Sequence, residues 1–248
     1  MNSNEQPRAC SRWRRFCHKN YAVFRSLHTE VSIGVLGVAM LSSCAFVNNT
    51  ASCGQEQLQQ GDLLFCLEPD ESDGLGGAIA AVTGGIGSQR ITHVAIAVDS
   101  VRIVEATPRE GVRVINLWDF IQSAGTDSDG EPLLLLGRLR DTTGVAASVE
   151  RALTYVDRPY DVLYQPDDSA IYCSELVQLS YRRADGTSIF PQQPMTFRDS
   201  TGQIPSYWTE LYAGHGMAVP EGEPGTNPVG LSQSEELDLL KTPSIIIN

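Results

Sequence analysis

Residues 92–116, THVAIAVDSVRIVEATPREGVRVIN, string together three short apolar runs separated by turn-like residues. Runs of that length, rich in Val and Ile and broken by Asp, Ser, Pro and Gly, read as an antiparallel β-meander. Two further buried strands are expected at GDLLFCL (61–67), where a Gly-Asp turn leads into an apolar run, and within EPLLLLGRLR (131–140). Helices to pack against this sheet are expected at LWDFIQSA (117–124) and at GVAASVERALTYVD (144–157). The second spaces Val145, Val149, Ala152, Leu153 and Val156 at helical intervals. A third helix is expected within AIYCSELVQLSYRR (170–183). GLGGAIAAVTGGIG (74–87) reads as a short helix between flexible ends, and no Gly-Lys-Ser/Thr follows to make it a phosphate loop. After residue 185 the chain reads as loop-rich and closes on the acidic segment SEELDLL. The pattern is a strand-first α+β domain with no internal repeat.

The first fifty residues read differently. Arg8, Arg12, Arg14, Arg15, Lys19 and Arg25 face only Glu5 and Glu30, and VSIGVLGVAML (31–41) then runs without charge. That run falls short of the ~20 residues needed to span a bilayer and matches the ~7–15 of a secretory h-region. LSSC (41–44) resembles the bacterial lipoprotein box, which implies Cys44 as the lipidated residue; the alternative is an ordinary signal peptide with a cysteine nearby. With Ala rather than Asp at position 45, the same resemblance implies the outer membrane. The expected organisation is a signal peptide over 1–43, a polar tether over 44–60, one domain over 61–220 and a C-terminal tail over 221–248.

Removal of the signal sharpens the charge. The whole chain has 18 Lys and Arg against 30 Asp and Glu, and residues 1–43 hold six and two of them, so the remainder stands at 12 against 28, a net −16. A surface this acidic repels phosphate backbones and anionic headgroups, so nucleic acid is excluded as a partner and membrane attachment is expected through the lipid. Four cysteines remain beyond the signal: Cys44, Cys53, Cys66 and Cys173. Cys53 and Cys66 are near enough in sequence to pair, and lipidation of Cys44 leaves at least one thiol without an intramolecular partner.

Cys173 is the thiol placed for chemistry. Asp167, Asp168 and Ser169 precede the apolar part of its helix, so the helix starts within a few residues of Cys173. A sulfur there meets the positive end of the helix dipole, which favours thiolate. The unsatisfied N–H groups of the first turn are available to an oxyanion. The other reading is a small apolar residue filling a helix face. Thiolate chemistry needs a base, and beyond the signal only His93 and His215 are present. His93 heads the apolar run HVAIAV, whereas His215 sits in the glycine loop AGHGM; a base that must be held still belongs on the strand. A hairpin centred near Asp99 and Ser100 makes His93 and Glu105, each six positions from residue 99, cross-strand neighbours on one face. Glu105 then orients the imidazole. The alternative is a solvent-facing Glu105, with Asp99, Asp119 or Asp161 in its place.

These stretches resemble the NlpC-type papain-like cysteine hydrolases, through CSELV (173–177), GDLLF (61–65) and HVAIAV (93–98). In that superfamily the cysteine stretch comes first. Here it comes last, with the cyclic order kept, as in the circularly permuted YiiX/YaeF-like branch. The resemblance covers roughly residues 61–212, and PYD…IYCSELV and the VP-G-PGT-P tail (219–228) are similar to that branch. One departure is Ala95, where glycine is commoner. The resemblance implies a permuted papain-like α+β fold: an antiparallel sheet or small barrel packed against helices, with the nucleophile at a helix N-terminus. It implies Cys173 as nucleophile, His93 as base, Glu105 as the third polar group, and Tyr172 and Ser174 beside the oxyanion and substrate. No cofactor and no metal are expected, and Asp127 and Asp129 belong to a solvated turn. The expected activity is hydrolysis of an amide through a thioester, with peptidoglycan stem peptides as the leading substrate. A lipid or acyl-ester hydrolase or acyltransferase on the same residues is the alternative, and an inactive binding module is the third reading.

Overall fold

The computed structural model describes residues 57–68, 74–86 and 89–241, all within the compact unit 51–248. Residues 1–43, expected to be a signal peptide, and Cys44 and Cys53 lie outside the described residues. In chain order the elements are β1 (Leu63–Glu68), α1 (Gly74–Thr83), β2 (Gly85–Ile86), β3 (Gln89–Ala97), β4 (Arg102–Thr107) and β5 (Gly111–Asn116). There follow α2 (Leu117–Ala124), β6 (Leu134–Leu139), α3 (Val145–Leu153) and α4 (Cys173–Ser180). The last are β7 (Gln193–Pro194), α5 (Ser206–Gly214), β8 (Pro224–Gly225), α6 (Pro228–Ser232) and β9 (Leu237–Lys241). Among the described residues no helix is long and apolar enough to cross a membrane.

The main sheet runs β5-β4-β3-β1-β6-β9, with β2 paired onto β3, and each of these pairings is antiparallel. It stays open, with β5 and β9 at its edges, so of the two expected forms the sheet is correct and the barrel is not. Period-two alternation sends Leu63, Phe65 and Leu67 of β1 into one apolar layer and Leu64 and Cys66 into the other. The first layer is filled by Val149 and Ala152 of α3 and by Leu176 and Val177 of α4. The second is filled by Leu117, Phe120 and Ile121 of α2. α2 starts and ends where its sequence indicated, with the Asn116 side chain accepting from the Trp118 N–H at 2.8 Å as its N-cap.

Residues 221–248, set apart in sequence as a tail, contribute α6 and β9. Val229, Leu231 and Leu237 lie in the first core layer, and β9 pairs with β6 from Leu237 to Lys241. The loop-rich stretch also contains α5, which buries only Trp208 and Tyr212 of its nine residues.

The turn before β1 is fixed by backbone geometry. Gly61 has φ +80°, donates to the Ala97 carbonyl at 2.8 Å and accepts from the Tyr181 hydroxyl at 2.7 Å. A Cβ there would lie 2.2 Å from Val145 Cγ1. Gly61→Ala is therefore expected to destabilise the domain by at least the ~1–3 kcal/mol of a strained left-handed residue, read as a lower urea midpoint with unchanged m-value.

Candidate active site

α4 begins at Cys173 itself, and all eight of its residues are buried. A helix buried all round is laid against the sheet on one side and α3 and α6 on the others, so its first residue is held on a rigid element. The main-chain N–H groups of Cys173 and Ser174 have no intrahelical partner, as at any helix start. Tyr172, one residue earlier, donates its N–H to Glu175 Oε2 at 3.3 Å. Burial pushes the Glu175 carboxyl up to about 8. At neutral pH it is mostly protonated and places little negative charge in the first turn beside Cys173.

His93 comes from β3, at a break in the strand's regularity. Cys66 pairs with His93, but Leu67 pairs with Ile91, so β3 carries one extra residue, Thr92, opposite β1. A bulge changes the parity of the strand, and Ile91 and Val94 accordingly share the first core layer. His93 Nε2 lies 2.8 Å from Glu105 Oε2. Cys173 is the other group that acts on the ring; with Nε2 engaged by Glu105, Nδ1 is the nitrogen left to face the sulfur. Burial alone would lower the imidazole's proton affinity, yet the interactions with Cys173 and Glu105 outweigh it and raise His93 to about 10. The favoured state is an imidazolium. Phe120 of α2 covers the ring, with centroids 6.3 Å apart.

Glu105 is buried in β4, and against the cost of that burial its partners hold its carboxyl below the usual range. Its two oxygens have separate partners. Oε2 meets His93, and Oε1 accepts from Arg113 Nε at 3.0 Å and Nη2 at 2.8 Å. The expected pairing of His93 and Glu105 needs one correction. β3 and β4 pair Ile96 with Val104 and Ala97 with Ile103, so the hairpin is centred on Ser100. That register, continued, sets Glu105 opposite Ala95, and His93 is its diagonal neighbour on the same face.

The rival residues have other employment. Asp99 accepts from the N–H groups of Val101 and Arg102 and from the Arg102 side chain in the hairpin turn. Asp161 accepts from the Leu163 N–H in its own loop. Asp119 is exposed on α2, and His215 is exposed at the end of α5.

A pocket open to solvent lies against Cys173. Ile79, Val82, Met195, Phe197 and Trp208 line it together with Tyr164, Tyr172 and Ser174, and among its described lining residues none is charged. Trp208 and Phe197 meet edge to face at 5.1 Å between centroids. The Tyr172 hydroxyl accepts from the Thr226 N–H at 3.1 Å and so pins the 224–228 segment beside the pocket. Ser174 Oγ is buried without a hydrogen-bond partner.

Three features of the site escaped the sequence reading. Arg113 was readable, since the TPREG turn pairs Thr107 with Gly111 and therefore Glu105 with Arg113. Cys66, directly opposite His93, is a free buried thiol whose proton affinity is raised by burial. The aromatic pocket draws on α1, the 160–172 loop and α5, and no local pattern joins them.

A family described as permuted papain-like amidase enzyme, YaeF/YiiX, C92 family, matches residues 57–241. Among solved structures, metalloprotein yiiX from Escherichia coli O157:H7 matches at a TM-score of 0.56 and 19% identity, covering 75% of this chain and 98% of that one. At that identity the likeness concerns the fold. Among the described residues here, no three His, Cys, Asp or Glu side chains gather as ligands for a metal ion. No curated protein matches the chain.

Proposed function

We propose, from the premise that the chain belongs to the permuted papain-like amidases of the YaeF/YiiX, C92 family, that it hydrolyses amides with Cys173 as nucleophile. The observation that carries the reading is His93, held by Glu105 at 2.8 Å and interacting with Cys173, whose sulfur stands at the start of a buried helix. The Cys173 thiolate attacks the amide carbonyl and forms a C–S bond, while the first-turn N–H groups receive the oxyanion. His93, already an imidazolium, gives its proton to the departing nitrogen as the C–N bond breaks. The resulting thioester is cleaved when neutral His93 takes a proton from water, whose oxygen attacks the carbonyl and releases Cys173. Glu105 holds the ring in place and stabilises its charge throughout.

For substrate, a lipid-anchored enzyme carrying its anchor on Cys44 meets peptidoglycan stem peptides, and these are the first class to test. The uncharged, aromatic pocket against Cys173 favours a second reading, in which the acyl group is apolar and the bond an acyl ester or amide. A panel of muropeptides and of fatty-acyl esters and amides, followed by mass spectrometry with Cys173→Ala as control, tests both. Turnover of either class that vanishes with Cys173→Ala is the expected result. Turnover that persists in the variant would remove the nucleophile assignment.

A further inference from the structure

Resting on that reading, the structure assigns Arg113 a part in it as a positioning residue that acts on His93 through Glu105. A carboxylate with one ordered partner can rotate about its last bond. Here both oxygens are fixed, Oε2 on His93 and Oε1 on the two-nitrogen fork of Arg113. The cation comes from the directly opposed residue of β5, so the backbone ladder sets the distance. Arg113 is itself steered by a second carboxylate, Glu110, at 3.2 Å from its Nη1. The charged and titratable groups around Glu105 are then His93 from β3, Cys66 from β1, Arg113 from β5 and Glu110 from the turn before it. Cys66 stays a neutral thiol through burial. Arg113 is thus the cation that keeps Glu105 ionised when His93 is neutral, after the proton has passed to the leaving group. Without it, a buried carboxylate would face a neutral imidazole and take up a proton, and the ring would lose its orienting acceptor.

The test is the rate of Cys173 alkylation by iodoacetamide between pH 3 and pH 8 in the full chain, quantified on the Cys173 peptide. In the wild type the fast reaction is lost on the acid side as Glu105 protonates. Arg113→Gln is expected to move that acid limb upward by about one pH unit or more, the usual effect of a neighbouring cation on a carboxylate. Arg113→Lys, with a point charge in place of the fork, is expected to move it part of the way. Arg102→Gln removes the same charge from the exposed Asp99 pair on β4 and is expected to leave the limb in place. An Arg113→Gln limb that overlays the wild type overturns the inference. If that variant fails to fold, a wild-type limb in Arg113→Lys overturns it instead. His93→Ala separates this outcome from failure of the nucleophile reading. Alkylation unaffected by His93→Ala removes the activated pair altogether, whereas a slowed His93→Ala with an unmoved Arg113→Gln limb removes Arg113 alone.

Discussion

Alanine at position 93 is expected to slow amide turnover by ~10²–10⁴, the usual contribution of a positioned acid–base group. Combining it with Cys173→Ala is expected to cost nothing beyond Cys173→Ala alone, because residues acting as one unit are not additive. The same substitution should leave a signature in stability that a surface histidine would not. His93 is raised from an ordinary 6.5 to about 10, so its contribution is complete below pH 6.5 and is lost as pH rises through about 10. Glu105 is lowered from an ordinary 4.5, so its contribution is complete above that value and is lost as pH falls further. Both are fully present only between those two ordinary values. Urea midpoints of the wild type should therefore fall between pH 6 and pH 10, and those of His93→Ala should fall less. Equal slopes for the two proteins would mean that the imidazolium is not held by its partners.

The second large effect lies away from the chemistry. Asp62→Ala is expected to destabilise the domain by ~3–5 kcal/mol, the cost of removing one member of a buried ion pair. Asp62 is 1% exposed and meets Arg138 through two parallel bonds of 2.8 Å, Nε to Oδ1 and Nη2 to Oδ2. It also accepts from the Gln59 N–H at 2.7 Å. Deleting the carboxylate takes the two-bond partner from a mostly buried guanidinium beside β1, whose Nη2 keeps the Gln57 carbonyl at 2.9 Å. Arg140 and Asp238 form a pair of the same length, 2.8 Å, with both side chains more than half exposed. Asp238→Ala is expected to cost less than ~1 kcal/mol, since solvent screens such pairs. Chemical denaturation of the two variants side by side checks the contrast, and comparable losses would refute the assignment by burial.

Much of this architecture could be read locally. The meander, α2 and the start of α4 each follow from periodicity and capping within a dozen residues. The hairpin between β3 and β4 is instructive, since its centre is one residue later than expected and the partner of Glu105 moves by two. A strand's period is also two, so His93 and Glu105 remain on one face despite the shift. The bulge at Thr92 had no such protection and no sequence mark. Contacts across long separations were equally silent. Asp62 reads as a turn residue because Arg138 is 76 positions away, and SEELDLL reads as a solvated end because its strand partner β6 lies about a hundred residues earlier. α5 offers only two buried positions, too few to stand out between Pro-containing loops.

The placement of β9 has a consequence for timing. Its partner β6 is also the neighbour of β1, so the first and last strands of the domain lie one strand apart in the sheet. During synthesis β1, β3, β4, β5 and β6 emerge early, but β6 keeps an unpaired edge until residue 241 has left the ribosome. The layer against α3 and α4 likewise waits for Val229, Leu231 and Leu237. The Cys173 helix therefore reaches its final packing only once the residues through 241 are available, and the domain completes its folding after its last strand has emerged.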